Sequence, residues 1–185
     1  MDRPFAYYRY LTRRSSLSLV FRSFFIQDLV KCFSGKVLDI GAGAGEFSLA
    51  YPASFGVEIN PYLAAYGQQK GMKISLASIF SLPFSNQEFD GVLISNVLEH
   101  LAEPQAAFGE SVRVLRPGGR LVVTVPFLAG FRHDLTHQTF LKKCDLIRFS
   151  TEYNLHPLRI YSYPPFGSFL GNFLTFYELR AIFMK

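Results

Sequence analysis

Three glycines at alternate positions, Gly41, Gly43 and Gly45, directly follow the apolar run "KVLDIG" (36–41) and precede a segment that can be helical. Glycine at such a turn lets the backbone bend tightly and approach a bound ligand where a side chain would collide. The strand-to-helix edge also aims backbone N–H groups at the crevice, which suits the carboxylate tail of a ligand. Glu58 closes the next apolar run, 19 positions beyond Asp39. A carboxylate there can accept hydrogen bonds from both hydroxyls of a ribose. These residues point to retention of a nucleoside-containing cofactor. A nicotinamide-dependent oxidoreductase is disfavoured, because its turn reads GxGxxG. Here the spacing is GxGxG with Glu46 next, and 185 residues leave no room for a second substrate domain.

A second group sits in "RHDLTHQTF", where His133, Asp134 and His137 fall within one short stretch. Two readings stay open: a general base facing the substrate, or hydrogen bonding within a loop. No metal is expected, since carboxylate-containing sites draw further ligands and none clusters nearby in sequence. For His100, in "LEHL", the reading preferred over a catalytic base is a helix-start histidine bonded to backbone.

Positioning these residues requires strands that end at one edge. Short apolar runs alternate with longer mixed segments, the rhythm of a parallel sheet with crossover helices. Strands are expected at 36–41, 54–59, 73–78, 89–96 and 119–127, with two late strands near 158–163 and 174–183. Ala107, Val112 and Leu115 recur at near-helical spacing between Pro104 and Leu115, and "RPGG" ends that helix. Residues 139–149 predict another helix with Phe140, Leu141, Cys144, Leu146 and Ile147 inward. Phe166, Phe169, Phe173, Phe176 and Phe183 either line an apolar acceptor pocket or form the core face of the terminal strands.

The length and 49% hydrophobic content suit one core and a single domain over 1–185. Within it, 1–35 is a helical cover, 36–127 the cofactor-binding core, and 128–185 the acceptor-side helix and terminal strands. The net charge of +5 favours anionic partners. Arg3, Arg9, Arg13, Arg14 and Arg22 read as the solvated face of an amphipathic helix. Interleaved with them, Tyr7, Tyr8, Tyr10, Leu17, Val20, Phe21 and Phe24 can form a lid, touch a membrane surface peripherally, or cover the sheet. Cys32 and Cys144 stand in no disulfide or zinc pattern, which suits a reducing, cytoplasmic setting. Arg22 and Pro126 interrupt the longest apolar runs, so no transmembrane segment is expected. An organellar transit segment is the alternative reading of the Arg- and Ser-rich first 26 residues.

The strings "VLDIGAGAG", "GVEINP", "LPFSNQEFDGVLISNVLEHL" and "RVLRPGGRLVVTVP" resemble, in order and spacing, the successive motifs of the class I S-adenosylmethionine-dependent methyltransferases. The resemblance runs from Val37 to Pro126. It implies an α/β, Rossmann-like doubly wound sheet of seven mostly parallel strands with a reversed last strand. It implies S-adenosyl-L-methionine as cofactor and methyl transfer by in-line displacement. It places Asp39, Gly41, Ala42 and Gly43 at the methionine portion, Glu58 on the ribose hydroxyls, and Ile59 and Ile79 against the adenine. Where this family commonly carries an Asp for the adenine amino group, this sequence has Ser78, whose hydroxyl can replace one hydrogen bond without charge. Asn96 falls where relatives place the residue nearest the transferable methyl. "SNVL" stands where nucleic-acid adenine or cytosine methylation calls for an NPPY-like tetrad. The expected acceptor is therefore a small molecule or a saccharide, lipid-linked or not, methylated at oxygen, and no nucleic acid. The segment around His133 also resembles one in bacterial methyltransferases of surface-glycan pathways. A non-catalytic cofactor-binding or partner subunit on the same fold is the alternative.

Overall fold

Buried on both faces, the central strands carry near-continuous apolar runs. The computed structural model describes residues 2–165 and 173–185. Its strands are β1 (Val37–Ile40), β2 (Ser54–Glu58), β3 (Ile74–Leu76), β4 (Phe89–Ser95), β5 (Leu115–Pro126), β6 (His156–Tyr163) and β7 (Glu178–Met184). They form one sheet in the order β3-β2-β1-β4-β5-β7-β6. β1 to β5 pair in parallel, and β7 runs antiparallel to β5 and β6. The doubly wound sheet with a reversed last strand is thus present.

Side chains alternate faces along each strand. Leu38, Ile40, Val92, Ile94, Leu121 and Val123 share one core with α5 (Pro104–Val114) and α7 (Lys143–Glu152). Val37, Leu93 and Val122 share another with Leu29 of α2 (Ser16–Val30) and Phe47 of α3 (Glu46–Ala50). The other helices are α1 (Arg3–Thr12), α4 (Pro61–Gln69) and α6 (Leu128–His133).

Several expectations shift. β5 starts at Leu115, not 119, because Leu115 pairs with Phe89 ahead of a register shift, so "RPGG" extends the strand as an irregularity. The helix expected from 139 starts at Lys143, where the Asp145 carboxylate accepts from the Lys142 N–H at 3.0 Å. Counted from that start, the buried stripe falls on Leu146, Phe149 and Ser150, and Cys144 and Ile147 face out. β7 begins four residues later than expected, at Glu178. Phe183 is core, whereas Phe173 and Phe176 are exposed; Phe166 and Phe169 lie outside the described residues. The N-terminal aromatic stripe does not cover the sheet. α2 is apolar around most of its girth, and one helix resting on a sheet buries only one stripe. Leu29 takes that place, leaving Leu17, Val20 and Phe24 exposed.

Candidate active site

The glycine turn closes over the end of β2 and holds Glu58 from two sides. Gly43 N–H donates to Glu58 Oε2 at 2.8 Å, and Asn60 N–H donates to Oε1 at 2.8 Å. Gly41 and Ala42 N–H both donate to the Val57 carbonyl, and Gly45 N–H to that of Ala42. These amides therefore do not point into the crevice as expected: the turn packs against β2 and spends them there. Gly41 (φ +75°) and Gly43 (φ +56°) both occupy the left-handed region that favours glycine. The space a Cβ at Gly41 would need is filled by Val97, so that glycine serves packing as well as the turn.

Asp39 lies beside this turn, almost wholly buried. Burial, then repulsion from Glu58 and Glu46, pushes its carboxyl up to about 7. Glu46 fares differently. Burial acts to raise it, but Arg22 and Arg14 outweigh that and hold it below the usual carboxylate range. Arg14 meets Glu46 Oε1 at 2.8 Å and Arg22 meets Oε2 at 2.6 Å. Two of the arginines read as a solvated face thus clamp α2 and its preceding turn onto the N-terminus of α3, where a carboxylate is favoured. Arg3 and Arg13 are exposed as expected.

Under this cover is a cleft of about 500 Å³, within the range of small-ligand sites. Asp39, Gly41, Ala42, Gly43 and Asn96 line it together with His133, Asp134 and His137, while Tyr7, Tyr10 and Arg14 wall it from α1 and the turn after it. Glu58 stands directly behind Gly43. Ile59, Ser78 and Ile79 are not in that lining: Ile59 is 70% exposed, Ile79 is core, and the Ser78 hydroxyl accepts from Phe80 N–H at 3.2 Å. A more open cleft of about 540 Å³ between α5 and α7 contains none of these groups.

The far end of the cleft is braced by buried charge. Asn96 sits at φ +52° just after β4, and its Nδ2 donates to Glu178 Oε2 at 3.2 Å. Glu178 Oε1 accepts from Arg180 Nε at 2.6 Å, and Arg180 Nη1 donates to Asp28 Oδ2 at 2.7 Å. Arg180 is fully buried. None of Glu178, Arg180 or Asp28 drew attention as site residues in the sequence, because the pairing of β7 with β5 brings them there.

Glu99, His100, Asp134 and His137 converge at this end as well. His137 Nε2 lies 3.9 Å from both Glu99 Oε1 and Asp134 Oδ2. His137 Nδ1 donates to the Phe131 carbonyl at 2.9 Å. Thr136 donates its hydroxyl to Asp134 Oδ1 at 2.7 Å, so its oxygen accepts from His100 Nδ1 at 3.0 Å. The His100 ring therefore bonds a side chain from the loop after α6, not backbone. Burial, then the neighbouring His137, lowers its pKa. Burial raises Asp134, and the Thr136 hydrogen bonds with the two histidines outweigh it, leaving Asp134 below its usual value. Glu99 is 1% exposed and pushed up to about 8, chiefly by burial. His133 is exposed where it lines the cleft, and its side chain makes no hydrogen bond among the described residues. The sequence signal for Glu99 was an acid inside the otherwise apolar "VLEHL"; its meeting with His137 was not legible there.

A reversed seventh strand beside β5, with a glycine turn closing on an acid at the end of β2, defines the class I methyltransferase fold. Residues 38–123 match the family described as methyltransferase domain. An uncharacterized protein of Methanocaldococcus jannaschii is 35% identical over 91 residues, 49% of this chain and 44% of that one. The ubiquinone/menaquinone biosynthesis C-methyltransferase of Syntrophotalea carbinolica is 28% identical over 164 residues, 79% of this chain and 69% of the relative. A SAM-dependent methyltransferase from Thermotoga maritima superposes over 100% of both chains with a TM-score of 0.75 at 18% identity. Residues 38–123 thus match a methyltransferase domain, and the chain as a whole has the fold of a SAM-dependent methyltransferase. It spans about half the length of the archaeal relative.

Proposed function

We propose that this protein binds S-adenosyl-L-methionine in the 500 Å³ cleft and transfers its methyl group to an oxygen of a small-molecule or saccharide acceptor. The observation that carries the reading is the pair of buried carboxylates at the ends of β1 and β2, Asp39 and Glu58. Asp39, held near neutrality by burial and two like charges, suits a cationic partner such as the α-ammonium of the cofactor. Glu58, immobilised by the Gly43 and Asn60 amides, keeps lone pairs for two ribose hydroxyls. The base then extends beyond the cleft's lining, where Ile59 offers exposed apolar surface and Ser78 a hydroxyl to its amino group.

The bound cofactor supplies a methyl group on a positively charged sulfur that is already a good leaving group. The chain's own task is alignment, and holding reactants in a near-attack arrangement is worth roughly 7–11 kcal/mol. Asn96, fixed through Glu178, shapes the wall beside the acceptor. The α1–α2 cover, pinned by Glu46, excludes water. His133, exposed where it lines the cleft, is the proton acceptor of choice for an acceptor hydroxyl. Calorimetric titration with S-adenosylhomocysteine tests the reading, with NAD as control ligand. Micromolar binding lost in Glu58→Ala supports it; absence of binding overturns it in favour of a non-catalytic subunit.

A further inference from the structure

The acceptor end of the cleft carries a side-chain cluster that methyl transfer in itself does not require. Both carboxylate oxygens of Glu99 are buried without a hydrogen-bond partner among the described residues. A buried carboxylate left unpaired is costly, and natural structures keep few such groups without a role for them. The backbone carbonyl of Glu99 accepts from Gln138 and Thr139 N–H at 2.7 and 3.0 Å, and Thr139 Oγ1 donates to the Leu101 carbonyl at 2.7 Å. The 3-10 turn Leu98–His100 and the loop carrying His137 are thus stapled together, with the Glu99 side chain facing the two imidazoles.

We propose that Glu99, His100 and His137 form a binding site for one divalent transition-metal ion, of the zinc, cobalt or manganese kind. One ligand atom from each lies within 4.8 Å of the others. Around an ion with bonds of about 2.1 Å, ligand atoms stand about 3–4 Å apart. The 3.9 Å between His137 Nε2 and Glu99 Oε1 fits as it stands, and the widest separation closes by about an ångström of side-chain rotation.

The tautomers are already set for ligation. His137 Nδ1 is committed to the Phe131 carbonyl and His100 Nδ1 to Thr136, so each ring keeps its lone pair on Nε2. Outer-shell hydrogen bonds of this kind orient metal-binding histidines. Two imidazoles and one carboxylate favour a transition metal over magnesium or calcium, which prefer all-oxygen sets. Asp134 Oδ2, 3.9 Å from His137 Nε2, is at hand as a fourth ligand or as an acceptor from bound water. The cluster lines the cleft, so the remaining coordination positions open towards the acceptor, as in catalytic rather than structural sites.

The role of the ion rests on the proposed methyl transfer; its binding does not. On that reading the ion holds an acceptor presenting one or two adjacent hydroxyls and lowers the O–H pKa. The proton passes to His133. The new bond forms between oxygen and the methyl carbon, and the C–S bond breaks with its electron pair left on sulfur.

The test uses tag-free protein stripped with a chelator and titrated with Co²⁺, followed by visible absorption and, for Zn²⁺, by calorimetry. One ion per chain is expected, with histidine-type Co²⁺ bands. Affinity should fall about tenfold or more in Glu99→Gln and in His137→Ala, while His156→Ala, on exposed β6, binds as the parent does. S-adenosylhomocysteine titration of the same samples reports both the folded state of the variants and the cofactor reading. Cofactor binding with no Co²⁺ or Zn²⁺ uptake by the parent overturns the metal site and leaves methyl transfer standing. Stoichiometric uptake that Glu99→Gln and His137→Ala both leave unchanged also overturns it. Uptake lost in the variants without any cofactor binding upholds the site and removes the methyl-transfer role.

Discussion

Asn96 donates from Nδ2 to Glu178 Oε2 at 3.2 Å across 82 residues of chain, fixing the end of the fourth strand to the start of the reversed seventh. Glu178 in turn meets Arg180, whose guanidinium also reaches Asp28 on α2 and lies 3.7 Å from the Tyr163 ring centroid. One cleft wall thus rests on a buried ion network spanning three parts of the chain.

Arg180→Met keeps the bulk of that network but removes its guanidinium, leaving the buried Glu178 with the Asn96 amide as its remaining hydrogen-bond partner among the described residues. Breaking a buried pair by deleting one partner costs about 3–5 kcal/mol. Urea denaturation should show a lowered midpoint at an unchanged slope. A loss under about 1 kcal/mol would mean that Glu178 and Asp28 find other partners or water.

Asp39 makes cofactor binding depend on pH. Its folded value, about 7, lies above its usual 3.8. For the ligand-free protein this group therefore contributes most to stability below about pH 4, and that contribution is lost as pH rises to about 7. Binding of an ammonium-bearing ligand runs the other way, because it needs the carboxylate. Affinity for S-adenosylhomocysteine should rise by up to roughly tenfold per pH unit below 7 and level off above it. Calorimetry from pH 5.5 to about 8.5 reads this directly, and Asp39→Asn should bind weakly with the slope gone.

Gly41→Ala should be damaging for two separable reasons. Its φ of +75° costs a non-glycine residue about 1–2 kcal/mol, and the added methyl meets the Val97 side chain. Trimming Val97 in the Gly41→Ala background should recover the steric part alone. A double variant as unstable as the single one would put the whole cost on the backbone.

Glu46→Gln removes the charge that Arg14 and Arg22 share. These partners are partly exposed, so the global loss should stay near 1 kcal/mol or below. The local effect should be larger: amide hydrogen exchange in residues 3–30 should quicken while β1, β4 and β5 keep their protection. Uniform quickening across the sheet would show that the cover is integral to folding.

Much of this protein was determined by sequence alone, and for an identifiable reason. The short apolar runs of the buried strands and the glycine turn before Glu58 are local features, set by burial on both faces and by backbone sterics within a few residues. They were enough to predict a parallel sheet with crossover helices and to place Glu58 and Asn96 at strand ends, while the reversed last strand came from the resemblance to the methyltransferases. What local pattern could not carry was contact between distant segments. Hydrophobicity left the N-terminal aromatics a choice of lid, membrane contact or sheet cover, and the structure gives the sheet-facing place on α2 to Leu29. A charged residue's partner has no sequence period, so Arg14 and Arg22 read as solvated until α2 was seen against α3. The same holds for the acceptor end. His133, Asp134 and His137 were visible as neighbours, but Glu99 and His100 join them only because the loop after α6 folds back onto the turn after β4. Only the tertiary structure decides such meetings, since they depend on chain reversals that many residue pairs would satisfy equally well.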